Sequence, residues 1–156
     1  MCWLPSGRPL RTVVPMGISE PGSRRHPSDR DRHLVLLIDD SRTMREVLKV
    51  YLMGGKYEFV EAESAARALD LLRTEPVEVV IADVNMPKMD GIQLLHALRT
   101  HEDAHVRGIP VILITGDKSE DAHARLKDAR ADAFLQKPLR AESLVALVEQ
   151  LLAAHR

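Results

Sequence analysis

The chain has 156 residues, of which 45% are hydrophobic and 29% are charged, with a formal net charge of −1. These values predict one folded domain and argue against a protein that binds nucleic acid directly or coats a membrane. The single cysteine, Cys2, excludes an internal disulfide framework and a cysteine zinc cluster. No apolar run approaches the roughly 20 residues that cross a bilayer, and residues 1–10 lack the apolar stretch of a secretory signal. We therefore expect a cytoplasmic protein.

Residues 1–33 differ in composition from the rest of the chain. They hold five of the nine prolines and six arginines against three acids, a net charge of +3, whereas the remainder carries −4. Because proline fixes φ and removes a backbone donor, we predict a disordered N-terminal arm over residues 1–33 and one folded domain over residues 34–156. A basic docking arm that uses Arg24, Arg25 and Arg30 is a weaker alternative, since three extra positive charges support little binding.

Five short apolar runs alternate with stretches of helical spacing from residue 34 onward. Each run has the length and composition of a strand buried on both faces. Ser41 suits the cap of the first helix, and Asp117 has capping-box spacing to Glu120 for the fourth. Strict alternation of five strands with five helices predicts a doubly wound α/β, flavodoxin-like (βα)5 fold with a parallel sheet in the order 2-1-3-4-5. The predicted strands cover residues 34–38, 59–62, 77–82, 111–114 and 133–136.

Polar residues follow four of the five predicted strands. Asp39 and Asp40 follow the first strand, Asp83 the third, Thr115 the fourth and Lys137 the fifth. The carboxyl ends of parallel strands meet at one edge of a sheet, where ligands of such folds bind. The sequence therefore predicts that three carboxylates, a hydroxyl and an amine converge at this edge.

Three carboxylates in one pocket repel one another, so each would resist ionisation. A hard divalent cation such as Mg²⁺ relieves this repulsion and prefers oxygen ligands. Asp40 and Asp83 are the predicted direct ligands, Asp39 would act through water, and the backbone carbonyl of Asn85 would add a ligand. Since magnesium held by carboxylates usually serves a phosphoryl group, Asp83 is the candidate nucleophile that would form an aspartyl-phosphate.

Phosphoryl transfer demands mainly positioning and charge neutralisation. Lys137 would neutralise one phosphoryl oxygen as a compact point charge, and Thr115 would donate a hydrogen bond to another. Asn85 and Asp117 each lie two positions beyond a strand-end residue, so both are predicted to overhang the pocket and to aim a water at phosphorus. The phosphate would then last minutes or less. The alternative for Asp117 is that it only caps the fourth helix.

The strand-end residues, together with the motif DVNMPKMDG over residues 83–91, resemble the receiver domain of two-component response regulators across residues 34–154. The loop is especially similar to that of stand-alone, chemotaxis-type (CheY-like) receivers. The resemblance implies that Asp83 accepts a phosphoryl group from the phosphohistidine of a sensor histidine kinase or a histidine phosphotransfer protein. It also implies that Thr115 and Phe134 then reorient and reshape a partner-binding face formed by the fourth predicted helix, the fifth strand and the fifth helix. Such a chain is a signalling protein and not an enzyme.

Three positions depart from the family pattern. Arg130 stands where the family usually has a glycine at the end of a helix, a position that often needs a positive φ. Ala65 replaces the usual glycine before the second helix, and Phe134 stands where many members have tyrosine. None of the three belongs to the acidic pocket. The resemblance further implies that the Lys137–Pro138 peptide is cis.

Other functions stay open beside the leading hypothesis, a single-domain response regulator whose output is an unknown partner protein. One is a phosphorelay intermediate that passes the phosphate onward. Another is a haloacid-dehalogenase-like phosphatase, which also uses an aspartate nucleophile and Mg²⁺, but Asn85 stands where that family has its second acid. A pseudo-receiver that binds partners without phosphorylation is disfavoured by the complete set of acids.

Overall fold

The computed structural model describes residues 31–155, so most of the arm predicted over residues 1–33 lies outside the described residues. Within them, the first strand begins at His33, one residue before the predicted boundary. The strands are β1 (His33–Ile38), β2 (Tyr57–Ala62), β3 (Val79–Asp83), β4 (Val111–Thr115) and β5 (Ala133–Gln136). The helices are α1 (Arg42–Tyr51), α2 (Ala65–Thr74), α3 (Gly91–Arg99), α4 (Ala104–Gly108), α5 (Glu120–Asp128) and α6 (Ala141–Ala154).

The strands form one parallel sheet in the order β2-β1-β3-β4-β5, which confirms the predicted flavodoxin-like arrangement. β1 and β3 are neighbours, and Ile38 at the end of β1 pairs with Ala82 of β3. The residues that follow these two strands therefore lie side by side at the carboxyl edge of the sheet. This adjacency brings together acids that are more than 40 positions apart in the chain.

Helices cover both faces of the sheet. Leu36 and Ile38 of β1 belong to a core layer shared with α2, α3 and α5, whereas Val35 and Leu37 belong to the layer shared with α1 and α6. β3 and β4 are buried along their whole length, which explains why their sequences are continuous apolar runs without alternation. Across residues 31–155, no helix is both long and apolar enough to cross a membrane.

The described residues form six helices and not the five predicted, because the short helix α4 lies between α3 and β4. The Asp103 carboxylate caps α4 by accepting a hydrogen bond from the backbone N–H of His105 (2.8 Å), and Val106 is buried in the core. His101 and His105 are four positions apart and could meet on one face of a helix, but the nearby Pro110 predicts that the helix has already ended and favours exposed polar residues over a metal site. α3 has ended before His101, and His105 Nε2 lies 3.2 Å from the carbonyl oxygen of Val77.

Two helix starts test the capping predictions. Ser41 caps α1 as predicted, since its hydroxyl accepts a hydrogen bond from the Met44 N–H (3.3 Å). The alternative in which Asp117 caps the fourth predicted helix is wrong, because that helix is α5 and its cap is Ser119, which accepts from the Ala122 N–H (3.2 Å). Asp117 instead accepts a hydrogen bond from the Ser119 N–H (2.9 Å) within the preceding loop.

Two backbone expectations concern the region around β5. Arg130 follows α5 with a φ of 58°, so it takes the left-handed conformation for which the family usually supplies a glycine. The Lys137–Pro138 peptide is cis, as the resemblance implies. Both features lie outside the acid-bearing loops, one before and one directly after β5.

Candidate functional site at the carboxyl edge of the sheet

The predicted strand-end residues meet at the carboxyl edge. Asp39 and Asp40 directly follow β1, Asp83 is the last residue of β3, and Lys137 directly follows β5. Asp39, Asp40 and Asp83 each offer a carboxylate oxygen, and these oxygens lie within 4.8 Å of one another. In the part of the chain that the structure describes, this is the only cluster of three or more acidic, histidine or cysteine residues close enough to share a metal ion.

Asp83 occupies a buried position with both carboxylate oxygens engaged. One oxygen accepts a hydrogen bond from the Lys137 ammonium (3.1 Å), and the other accepts from the Asn85 N–H (3.1 Å). The Lys137 N–H donates to the Thr115 carbonyl oxygen (2.8 Å), which continues the pairing of β4 with β5 and directs the lysine toward the acids. One lysine therefore faces three carboxylates.

Asp39 is only 2% exposed, and its burial disfavours the charged form of the carboxylate. Burial raises the pKa of Asp39 from its ordinary value of 3.8 to about 6, and the charge of Asp83 adds to the rise. The hydrogen bond from the Ser41 N–H (2.8 Å) and the charge of Lys137 oppose it. The sequence predicted that every acid of the pocket would resist ionisation, and the structure shows which one bears the desolvation.

Thr115, Asn85 and Asp117 lie at or just beyond the carboxyl ends of β3 and β4. Thr115 is buried, and its hydroxyl accepts a hydrogen bond from the Asp117 N–H (3.1 Å). Asn85 and Asp117 are exposed. The hydrogen bond from the Ser119 N–H holds the pKa of Asp117 below its ordinary value, so this carboxylate is charged at neutral pH.

Phe134 lies in β5 and is partly buried against the core layer that contains α5. Its ring packs on the imidazole of His123 from α5, with centroids 5.7 Å apart and planes tilted by 44°. His123 Nε2 is buried and has no hydrogen-bond partner in the described structure. Phe134 thus links β5 to α5 by apolar packing, without the hydroxyl that a tyrosine would add.

Two residues that the sequence analysis did not single out shape the site. A Cβ on Gly91 would lie 2.7 Å from the Asp83 carbonyl oxygen and 2.9 Å from the Val84 Cα, so only glycine lets α3 start this close to the end of β3. The Gly91 position within the DVNMPKMDG motif was the available signal. Arg45 donates a hydrogen bond to the Asp39 carbonyl oxygen (2.6 Å), and no pattern in the sequence indicates this contact.

The fold and the acid-lysine edge define a receiver domain, and comparison with known proteins agrees. The profile of the response regulator receiver domain family matches residues 35–149, and the chain belongs to that family. Membership confirms the resemblance drawn from the sequence. It also favours a phosphate-accepting signalling module over the phosphatase alternative.

The similarity covers only part of each of two longer relatives. It is 41% identical over 114 residues to response regulator protein FleR of Pseudomonas aeruginosa, covering 73% of this chain and 23% of FleR. It is 33% identical over 118 residues to response regulator MprA of Mycolicibacterium vanbaalenii, covering 76% of this chain and 49% of MprA. The chain therefore spans less than half the length of either relative.

Solved structures of receivers superpose on most of the chain. The receiver domain of Francisella response regulator 1452 gives a TM-score of 0.72 at 26% identity, covering 80% of this chain and 100% of that one. The chemotaxis response regulator CheY4 of Vibrio cholerae gives a TM-score of 0.69 at 28% identity, covering 77% of this chain and 98% of that one. The likeness extends to CheY-type receivers, in agreement with the chemotaxis-like loop.

Proposed function

We propose that Asp83 accepts a phosphoryl group from the phosphohistidine of a sensor histidine kinase or a histidine phosphotransfer protein. The observation that carries the proposal is the placement of Asp83 in the three-carboxylate cluster with the Lys137 ammonium 3.1 Å away. A carboxylate oxygen of Asp83 attacks phosphorus, the phosphorus–nitrogen bond of the donor breaks, and the electron pair leaves with the imidazole. The product is an acyl phosphate on Asp83.

The donor set fits Mg²⁺. Asp39, Asp40 and Asp83 present hard carboxylate oxygens within 4.8 Å of one another, and one lysine leaves two of the three negative charges unbalanced. We assign these three residues, with the backbone carbonyl of Asn85, as the groups that hold the ion. When bound, the ion supplies neutralisation of charge on the phosphoryl oxygens.

Lys137 and Thr115 complete the proposed site. Lys137 would transfer its hydrogen bond from Asp83 to a phosphoryl oxygen, and the Thr115 hydroxyl would turn from its acceptor role toward another. Phe134 lies in the strand next to Thr115 and packs on His123, and movement of Thr115 would be followed by a change in that packing. This change would reshape the face formed by α5, β5 and α6, which an output protein would bind.

Two outputs are compatible with phosphorylation of Asp83. A response regulator would signal through the altered face, whereas a phosphorelay intermediate would return the phosphate from Asp83 to a second histidine. The outputs of FleR and MprA are not transferred to this chain, because the similarity covers 23% and 49% of those proteins.

Incubation with acetyl phosphate, with and without Mg²⁺, tests the proposal. We expect one phosphoryl group per chain by intact mass, mapped to Asp83, and none when EDTA replaces Mg²⁺. Asp83→Asn should abolish incorporation and keep the fold. Asp70→Asn, at an exposed acid of α2, is the matched control and should incorporate as the wild type does. Incorporation at another residue, or equal incorporation in EDTA, would contradict the proposal.

A further inference from the structure

Arg45 connects α1 to the loop that carries the first two acids. Its guanidinium Nη1 donates a hydrogen bond to the Asp39 carbonyl oxygen at 2.6 Å, and its Nε donates to Glu61 Oε1 at 3.0 Å. The Arg45 side chain is only 13% exposed. An arginine that only extends into solvent from a helix surface is mostly exposed. Arg45 is instead largely buried and makes one hydrogen bond to a carboxylate and one to a backbone carbonyl.

The carbonyl that Arg45 binds belongs to the peptide between Asp39 and Asp40. A peptide unit is planar, so holding its oxygen fixes the plane from which both acids project. The Asp39 N–H is held as well, by the Ala62 carbonyl oxygen at 3.1 Å, and the Asp39 carboxylate accepts from the Ser41 N–H. Those two bonds hold the preceding peptide and the Asp39 side chain, whereas Arg45 holds the carbonyl oxygen of the Asp39–Asp40 peptide itself.

Glu61 fixes the position of Arg45. It lies in β2 opposite Leu37 of β1, so the sheet register determines where its carboxylate stands. Lys49 also donates to Glu61 (3.0 Å), and although burial raises the pKa of Glu61, the bonds from Lys49 and Arg45 outweigh it and leave the pKa below its ordinary value. Glu61 is therefore a charged and oriented partner for the guanidinium.

We propose that Arg45 is a positioning residue for the cation site, acting through the Asp39–Asp40 peptide and not through contact with the ion. The inference rests on the proposed function, since it concerns the same cluster of acids. Its expected sign separates it from simple electrostatics. By charge alone, removal of a nearby arginine would strengthen the binding of a divalent cation, whereas loss of the positioning contact weakens it.

Calorimetric titration of Mg²⁺ at physiological ionic strength tests the inference. Arg45→Gln should weaken Mg²⁺ binding about 10-fold, the scale expected when the support of a metal ligand is lost. Arg42→Gln removes the same charge from an exposed position at the start of α1 and should bind Mg²⁺ as tightly as the wild type or more tightly. Glu61→Gln keeps the arginine but weakens its anchor, and should reduce affinity about 3-fold, more than Glu63→Gln, which removes the same charge from an exposed position directly after β2.

Thermal unfolding in EDTA shows whether each variant is folded, and Glu61→Gln provides the measurement if Arg45→Gln is not. Wild-type affinity in both Arg45→Gln and Glu61→Gln, with Mg²⁺ binding and Asp83 phosphorylation intact, would overturn the positioning role and leave the proposed function standing. Absence of Mg²⁺ binding by the wild type would overturn both.

Discussion

The two edges of the sheet carry acids in similar numbers but partner them differently. At the amino edge, Glu78 accepts a hydrogen bond from the Leu34 N–H (2.9 Å) at the start of β1 and lies 3.1 Å from His33 Nδ1. In the same way Asp132 accepts from the Val111 N–H (2.8 Å) at the start of β4, and it pairs with the Arg99 guanidinium (2.7 Å). Each acid thus joins a neighbouring strand and faces its own basic side chain.

At the carboxyl edge the backbone donors of the acids come from their own loops. Asp39 accepts from the Ser41 N–H and Asp83 from the Asn85 N–H, each two residues further along. Lys137 is the one cation in hydrogen-bond contact with the three clustered carboxylates within the described residues. Glu78 and Asp132 each bind a backbone N–H of a neighbouring strand and a basic side chain, which is typical of acids that stabilise a fold. Three carboxylates that share one lysine are typical of a site that binds a cation.

The sharpest test of this difference is Asp39→Asn, which removes one unpaired charge of the carboxyl edge. We expect Mg²⁺ affinity to fall on the order of 100-fold, the upper end of the losses seen when metal sites are altered. In Mg²⁺-free buffer at pH 7, the free energy of unfolding should rise on the order of 2 kcal/mol, because a buried carboxylate no longer has to ionise. Calorimetric titration and chemical denaturation measure the two effects. A less stable variant would contradict the assigned strain.

The pH dependence of the free energy of unfolding tests whether Asp39 ionises at the carboxyl edge. Burial raises the pKa of Asp39 to about 6, so the folded protein holds the Asp39 proton more tightly than the unfolded chain does. This contribution of the protonated carboxyl group to the free energy of unfolding is complete below pH 4 and is lost as pH rises through 6. The wild type without Mg²⁺ should therefore lose stability relative to Asp39→Asn between pH 4 and pH 7. Parallel curves for the two proteins would show that Asp39 does not titrate in this range.

Gly91→Ala tests whether one residue at the carboxyl edge contributes both to the free energy of unfolding and to Mg²⁺ binding. The added Cβ would meet the backbone of Asp83 and Val84 at 2.7 and 2.9 Å, so α3 or the end of β3 must shift. We expect a loss of about 2 kcal/mol in unfolding free energy, together with weaker Mg²⁺ binding. Gly108→Ala is the matched control, because no atom lies within 4 Å of its added Cβ. Equal stability of the two variants would contradict the close approach.

The corresponding change at the amino edge is Asp132→Ala. It leaves the Val111 N–H without its acceptor and Arg99 without its carboxylate, so we expect a loss of about 2 kcal/mol in unfolding free energy. Mg²⁺ affinity should stay at the wild-type value, because the acid lies at the opposite edge. Asp132→Asn keeps an oxygen acceptor and should lose less. A change in Mg²⁺ affinity would show that the two edges are coupled.

Topology explains why much of the site could be predicted from the sequence. Continuous apolar runs predict the strands, and the rule that parallel strands share a carboxyl edge predicts that Asp83 lies with Asp39 and Asp40. The same rule predicts that Lys137 and Thr115 lie at this edge. Such predictions succeed because they depend on strand order alone and not on side-chain geometry.

The features that escaped prediction depend on tertiary contacts. The short helix α4 is held by the burial of Val106, which no local periodicity indicates. The capping-box spacing assigned the start of α5 to Asp117, whereas Ser119 is the cap, and the hydrogen bond from the Asp117 N–H to the Thr115 hydroxyl ties Asp117 into the preceding loop. The contact of Arg45 requires the register that brings Glu61 beside α1.

The smallest expected effect concerns the rim of the carboxyl edge, where Asn85 and Asp117 are exposed. The lowered pKa keeps the Asp117 carboxylate charged, and its hydrogen bonds from Ser119 fix its orientation. This carboxylate, with the Asn85 amide, can orient a water toward a phosphate on Asp83. Asp117→Ala and Asn85→Leu should each lengthen the lifetime of the phosphorylated protein about 3-fold, measured as decay after acetyl phosphate is removed.

The control for this prediction must separate water positioning from loosening of α5. Glu120→Gln removes an acid from the first turn of α5, where it stabilises the helix start, and keeps both Ser119 groups that hold Asp117, so it should leave the lifetime unchanged. Equal lengthening by Glu120→Gln would assign the effect to the helix start, and an unchanged lifetime in Asp117→Ala and Asn85→Leu would exclude both rim residues. Because neither residue belongs to the three-carboxylate cluster, Mg²⁺ affinity should change less in these variants than in Asp39→Asn, which keeps the rim distinct from the acids that it surrounds.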